Sequence, residues 1–166
     1  MVLKTKGHTS THSLPCGSTL ALYPNAGRSI MQVEVKWKGG RSLEGVTPTG
    51  GKLEFDGSAD HSGPGASPME ALLCSVAACT AVDVLSILEK KRQVVTAYRL
   101  EVTGDRPPDG VWPRPFTAIS VKHVLKGENL DPVAVARAIE LSDEKYCSVS
   151  ATLRAGVDVT TSWEVE

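Results

Sequence analysis

The chain has 166 residues, 41% of them hydrophobic, and a formal net charge of −1. That is ordinary globular composition, enough for one domain and short for two. It offers no basic excess for nucleic acid and no charge block for an anionic membrane surface. Its four cysteines are too few for a disulfide scaffold at this length. With no clear secretory signal, the expected compartment is the reducing cytosol, where a cysteine pair is more often catalytic or free than a permanent bridge.

Residues 1–30 are rich in Thr, Ser, Gly and Pro and show no period. The apolar piece at 20–23 is too short and too broken for a signal sequence. Cys16 and the pair His8/His12 fall in this segment. A His-x3-His spacing suits a metal on a helix, but the segment has no helical pattern. We read 31–166 as the folded domain, and 1–30 as a loose tail or an overlong start. From Met31 the pattern sharpens. Val33, Val35 and Trp37 alternate with Gln32, Glu34, Lys36 and Lys38, which predicts a half-buried strand.

A turn at Gly39-Gly40-Arg41 leads to short strands over 43–46 and 52–55, separated by Thr49-Gly50-Gly51. Residues 57–67 read as a loop. A long helix follows over 68–91, opened by Pro68 and a Ser67/Glu70 capping box. Glu70 and Asp83 interrupt its apolar run, so no stretch long enough to span a bilayer is expected. Strands over 94–103 and 116–125 flank a Pro/Gly-rich connection. Asp131 as N-cap and Pro132 as first helical residue open a second helix. Residues 147–154 read as one or two helical turns, and 157–165 as a last strand. This order predicts an α+β fold with mostly antiparallel pairing.

Laid out at about 100° per residue, Ser75, Cys79, Asp83, Ser86 and Lys90 form one polar stripe on the long helix. The rest of its circumference is largely Ala, Leu, Val and Ile, so most of the helix should be enclosed. Cys79 lies in the stripe, where a reactive thiol can be solvated. Cys74 falls among apolar neighbours and reads as a small core residue. A second cysteine, Cys147, sits in Tyr146-Cys147-Ser148-Val149-Ser150. Two thiols far apart in sequence, each at a structured position, suggest a redox couple. Free cysteine is also commonly buried and inert, so the pattern alone leaves both readings open. Asp83, one turn from Cys79, would raise its pKa and is a poor activator. His123 on a strand carries little weight as a base. Cys74, Cys79 and Cys147 lack the spacing of a zinc site, and no metal is expected.

The stretches Ser67-Pro-Met-Glu-Ala-Leu-Leu, Ala-Ala-Cys79-Thr-Ala-Val-Asp-Val and Tyr146-Cys147-Ser-Val-Ser-Ala-Thr152 resemble the two cysteine segments of the OsmC/Ohr family, the osmotically inducible and organic hydroperoxide resistance proteins. The resemblance runs from about Met31 to the C-terminus. It implies two mostly antiparallel sheets around central helices in an intertwined homodimer, and a site at the dimer interface. It also implies reduction of organic hydroperoxides without metal, haem or flavin. In that scheme Cys79 attacks the peroxide, Cys147 closes a disulfide with it, and an external dithiol, which in the family can be a lipoylated protein, resets the pair. The family also uses an Arg to keep the thiolate ionised and a Glu to hold that Arg. Arg41, in Gly39-Gly40-Arg41, is the candidate for the first. Met69 stands at the family's Glu position, with Glu70 beside it as the candidate for the second. That departure also supports a different outcome, a non-catalytic dimer that binds a small apolar ligand.

Overall fold

The computed structural model describes residues 29–60 and 62–156. Cys16, the His8/His12 pair and the strand expected over 157–165 lie outside the described residues. Ile30–Ser150 forms one compact unit. A second unit is drawn from Met1–Ser29 and Ala151–Glu166, of which Ser29 and residues 151–156 are described.

Three strands, β1 (Glu34–Gly39), β2 (Ser42–Val46) and β3 (Lys52–Asp56), form an antiparallel sheet in chain order. Gly39 and Gly40 take φ of +109° and +55° in the first turn, where a side chain would be strained. Gly65 has a different reason for being glycine. A Cβ there would lie 2.6 Å from the Phe55 backbone, and its absence lets the 57–67 loop bridge Phe55 to Ala66.

The helix α1 (Pro68–Lys90) starts where the sequence places it. Ser67 Oγ accepts from the Glu70 N–H, and Glu70 Oε2 accepts from the Ser67 N–H at 2.8 Å. The strands β4 (Val94–Asp105) and β5 (Ala118–Glu128) form a second, two-stranded antiparallel sheet. Gly104 extends β4 instead of ending it. The Phe116 ring lies against its bare Cα, and a Cβ would sit 2.4 Å from that ring. The helix α2 (Pro132–Leu141) has the expected Asp131 cap, with Oδ1 accepting from the Val133 N–H at 2.9 Å. A π-helical turn (Ser142–Tyr146) and α3 (Ser148–Ala155) follow. The α+β class and the antiparallel pairing are therefore as expected.

The core is where α1 packs on β4 and α2. Val84, Leu88 and Ala138 are fully buried, with Ile87, Val95, Tyr98, Leu125, Val135 and Ile139 around them. Burying a side chain such as Leu88 contributes about 1.5–3 kcal/mol. The enclosure of α1 is smaller than expected. Its buried residues are Val76, Thr80, Val84 and Leu88, one stripe at helical spacing, whereas Val82 and Leu85 are exposed. The half-buried face expected of β1 is also open, since Val33, Val35 and Trp37 are all exposed. No second layer of described residues covers that sheet face.

The helix is also long and apolar enough to cross a membrane by length and composition, with a mean hydropathy of 2.2 over its most apolar stretch. Two acidic residues do not lower hydropathy enough to exclude this, contrary to expectation. Within the described residues, Val76, Thr80, Val84 and Leu88 are its buried stripe, and Asp83 is bonded to Ser142.

Between the core and the β4–β5 surface, Tyr98 Oη lies 2.5 Å from His123 Nδ1. Burial pushes the Tyr98 phenol up to about 12, so it stays protonated and donates to the ring nitrogen. Burial also lowers the pKa of His123 from its ordinary 6.5, against a weaker opposing pull from Asp143. His123 is thus a structural acceptor on the sheet. A lowered folded pKa means that this stability is present above pH 6.5 and lost as pH falls through the folded value. We expect His123→Gln to lower the melting temperature by about 2–5 °C at neutral pH. The gap to wild type should shrink in melts at progressively lower pH. A gap independent of pH would show that the neutral ring is not what stabilises the pair.

Candidate thiol site

Cys79 and Asp83 project from one face of α1, one turn apart. Cys147 arrives from the junction between the π turn and α3. The two sulfurs and a carboxylate oxygen of Asp83 all lie within 4.8 Å of one another.

A buried hydroxyl chain fixes this meeting. Ser142 Oγ donates to Asp83 Oδ2 at 3.0 Å and lies 2.9 Å from Thr80 Oγ1. The single hydrogen of Ser142 goes to the carboxylate, so Thr80 donates to Ser142. Ser142 is fully buried and Thr80 nearly so. The chain then makes the π turn, closed by the Cys147 N–H donating to the Ser142 carbonyl at 2.8 Å. Cys147 itself is extended, with φ −68° and ψ 96°, and α3 begins at the next residue. The Ser150 N–H donates to Cys147 Sγ at 3.5 Å, and the Cys147 thiol donates to Ser150 Oγ at 3.2 Å. The Val149 N–H donates to Cys79 Sγ. Both sulfurs thus meet amides of the first turn of α3, the end of a helix that favours negative charge.

Burial pushes the Cys79 thiol above its ordinary value of 9.0. The Val149 amide pulls the other way, and the neighbouring Cys147 and Asp83 add to the rise. No cation among the described residues acts on it. Cys79 is half-buried, and Cys147 is buried.

Beside the thiols an open cleft of about 480 Å³ runs along α1, lined by Asp83, Ser86, Ile87, Lys90, Lys91, Leu141 and Tyr146. Three residues of the predicted polar stripe (Asp83, Ser86 and Lys90) line it. The stripe is therefore a cleft wall.

The other candidates are elsewhere. Arg41 is exposed in the β1–β2 turn, where its carbonyl accepts from the Gly57 N–H at 3.0 Å. Nothing joins it to Cys79 among the described residues. Glu70 serves the cap of α1. Lys52, a further cation to weigh, pairs with Glu44 at 3.5 Å, and Arg114 pairs with Asp109. Cys74, expected in the core, is exposed, because its face of α1 lies outside the buried stripe. The residues that sequence patterns missed are Thr80, Ser142, Val149 and Ser150. Thr80 is a lone polar residue on an apolar face, which marks no chemistry by itself. A backbone donor such as Val149 leaves no signal in a residue type.

The OsmC-like protein family profile matches residues 59–162. Protein YhfA of Escherichia coli strain K12, whose name assigns no activity, is 41% identical over 135 residues, covering 81% of this chain and 98% of its own. A hypothetical protein from Aquifex aeolicus is similar in structure, with TM-score 0.64 and 32% identity over 84% of this chain and 98% of its own. An organic hydroperoxide resistance protein from Legionella pneumophila shares the fold at 15% identity, with TM-score 0.54 over 80% of this chain and 95% of its own. The extent of the family match, the fold and the identity to YhfA place this chain in the OsmC-like protein family.

Proposed function

We propose that the protein reduces organic hydroperoxides through a Cys79/Cys147 couple, as part of the redox or stress-related role that its family suggests. The observation that carries this reading is the placement of the two sulfurs within 4.8 Å, each addressed by an amide of the α3 N-terminus. Cys79 is the attacking thiol because it is the more accessible of the two, and Asp83, one turn along α1 from it, lines the cleft. Its thiolate attacks the distal oxygen of ROOH and the O–O bond breaks. The thiol becomes a sulfenic acid and the peroxide leaves as ROH after taking up a proton. Cys147 then attacks the sulfenic sulfur, water leaves, and a disulfide forms. An external dithiol returns both thiols and is itself oxidised to a disulfide.

The protein acts in this reading as a homodimer. Val82 and Leu85 on α1 and Val35 and Trp37 on β1 are exposed apolar surface, more than scattered single residues. A twofold partner is the commonest cover for such a surface. Arg41 lies in the turn at the end of β1, where a partner's site could receive it.

A second reading has its own support. Burial holds the Cys79 proton on, no described cation opposes this, and Ile87 and Leu141 give the nearby cleft an apolar part of its lining. A binding protein for small apolar ligands fits those facts.

Stoichiometric cumene hydroperoxide should convert the reduced chain to the Cys79–Cys147 disulfide within seconds, with Cys74 left reduced. Peptide mapping checks this. Recovery of Cys74 or Cys16 in the main disulfide, or no thiol loss at all, would favour the binding reading. Sedimentation should give twice the chain mass, and Trp37→Asp with Val82→Asp should shift it toward the monomer. A wild-type monomer at micromolar concentration would contradict the dimer.

A further inference from the structure

Cys79, Asp83 and Cys147 present two sulfurs and a carboxylate oxygen within 4.8 Å of one another. Ligand atoms around a tetrahedral zinc ion lie about 3.5–3.8 Å apart, so a small side-chain rotation closes the set. Donor chemistry points the same way, since two thiolates and a carboxylate favour a thiophilic divalent cation over calcium or magnesium. The carboxylate is also oriented as metal ligands usually are. Ser142 Oγ donates to its Oδ2, and Thr80 donates to Ser142, with both hydroxyl side chains buried. Two of the ligands are one turn apart on a rigid helix, and the third is held by the π turn.

We propose that the reduced protein binds a thiophilic divalent cation, Zn²⁺ being the natural case, through Cys79, Asp83 and Cys147, with the fourth position open. Binding releases the two thiol protons and forms two metal–sulfur bonds and one metal–oxygen bond. The two charges of the cation are met by two thiolates and a carboxylate. The same sulfurs cannot hold a metal and form a disulfide, so metal binding and thiol oxidation exclude each other. Metal occupancy would then protect the pair from oxidants. Sequence spacing could not reveal this site, because its third ligand comes from a distant segment.

The inference stands apart from the hydroperoxide reading, because metal binding is measured without peroxide and peroxide turnover without metal. The probe is Co²⁺, titrated into the full chain after chelator treatment and reduction. One Co²⁺ per chain should bind, with a thiolate-to-metal charge-transfer band and the intense visible absorption of a tetrahedral site. Zn²⁺ should displace it, with release of two protons per ion. Cys79→Ser should halve the charge-transfer band, and Asp83→Asn should weaken binding about 10–100-fold while keeping a bond to Ser142. The disulfide form should not bind, and Cys74→Ser should behave as wild type. An undiminished thiolate band in Cys79→Ser would overturn the proposal. So would binding by the disulfide form, or binding without any thiolate band, as histidines alone would give.

Discussion

The Ser142 hydroxyl is the hinge on which the site depends. It is fully buried, takes a hydrogen bond from Thr80 and gives one to Asp83. Two polar side chains on α1 are thereby satisfied by one residue at the end of α2. An unpaired buried hydroxyl or carboxylate costs about 1–3 kcal/mol or more, so this junction has a strong preference for one geometry. The π turn that follows carries the chain from Ser142 to Cys147, and the closing bond between those two residues sets where the second thiol begins. The proximity of Cys147 to Cys79 is a consequence of this junction.

The electrostatic character of the site follows from the same packing. Burial, with Cys147 and Asp83 close by, raises the cost of ionising Cys79. The opposing contribution comes from backbone amides at the start of α3, which address both sulfurs. Such a site holds the Cys79 proton on until something removes the penalty. A positive side chain from a second copy, a metal ion, or oxidation to a disulfide would each do so. The open cleft on the far side of Asp83, with Lys90 and Lys91 at its rim, gives a ligand access to the stripe without passing through the core.

Much of the fold is legible in the residues because its signals are local. The Ser67/Glu70 capping box and the Asp131-Pro132 pair mark helix starts within one turn, and the Gly39-Gly40 turn and the alternating strands need no distant information. The polar stripe on α1 singled out Cys79 and Asp83 for the same reason. Three things were not legible. Gly104 looked like a strand end because the ring that covers it is supplied by Phe116, across the hairpin. Cys74 looked buried because periodicity shows which residues are apolar, not how many faces of a helix find cover. The thiol and carboxylate cluster was hidden because the spacing rules for metal and redox motifs apply to ligands on one segment, and here Cys147 comes from another. Its hydroxyl and amide partners, Ser142 and Val149, are ordinary residues whose roles exist only once the chain has turned.

If the buried hydroxyl positions the thiols, its removal should change how readily they join. The direct measurement is the equilibrium between the reduced pair and the Cys79–Cys147 disulfide in a glutathione redox buffer, for wild type and Ser142→Ala. Loss of a buried bond worth about 1–2 kcal/mol corresponds to roughly a tenfold change. The variant is therefore expected to require a glutathione buffer about tenfold more oxidising to form the disulfide, while its far-UV circular dichroism stays that of wild type. A disulfide equally stable in both proteins would contradict the claim that the Thr80–Ser142–Asp83 junction brings the two cysteines together.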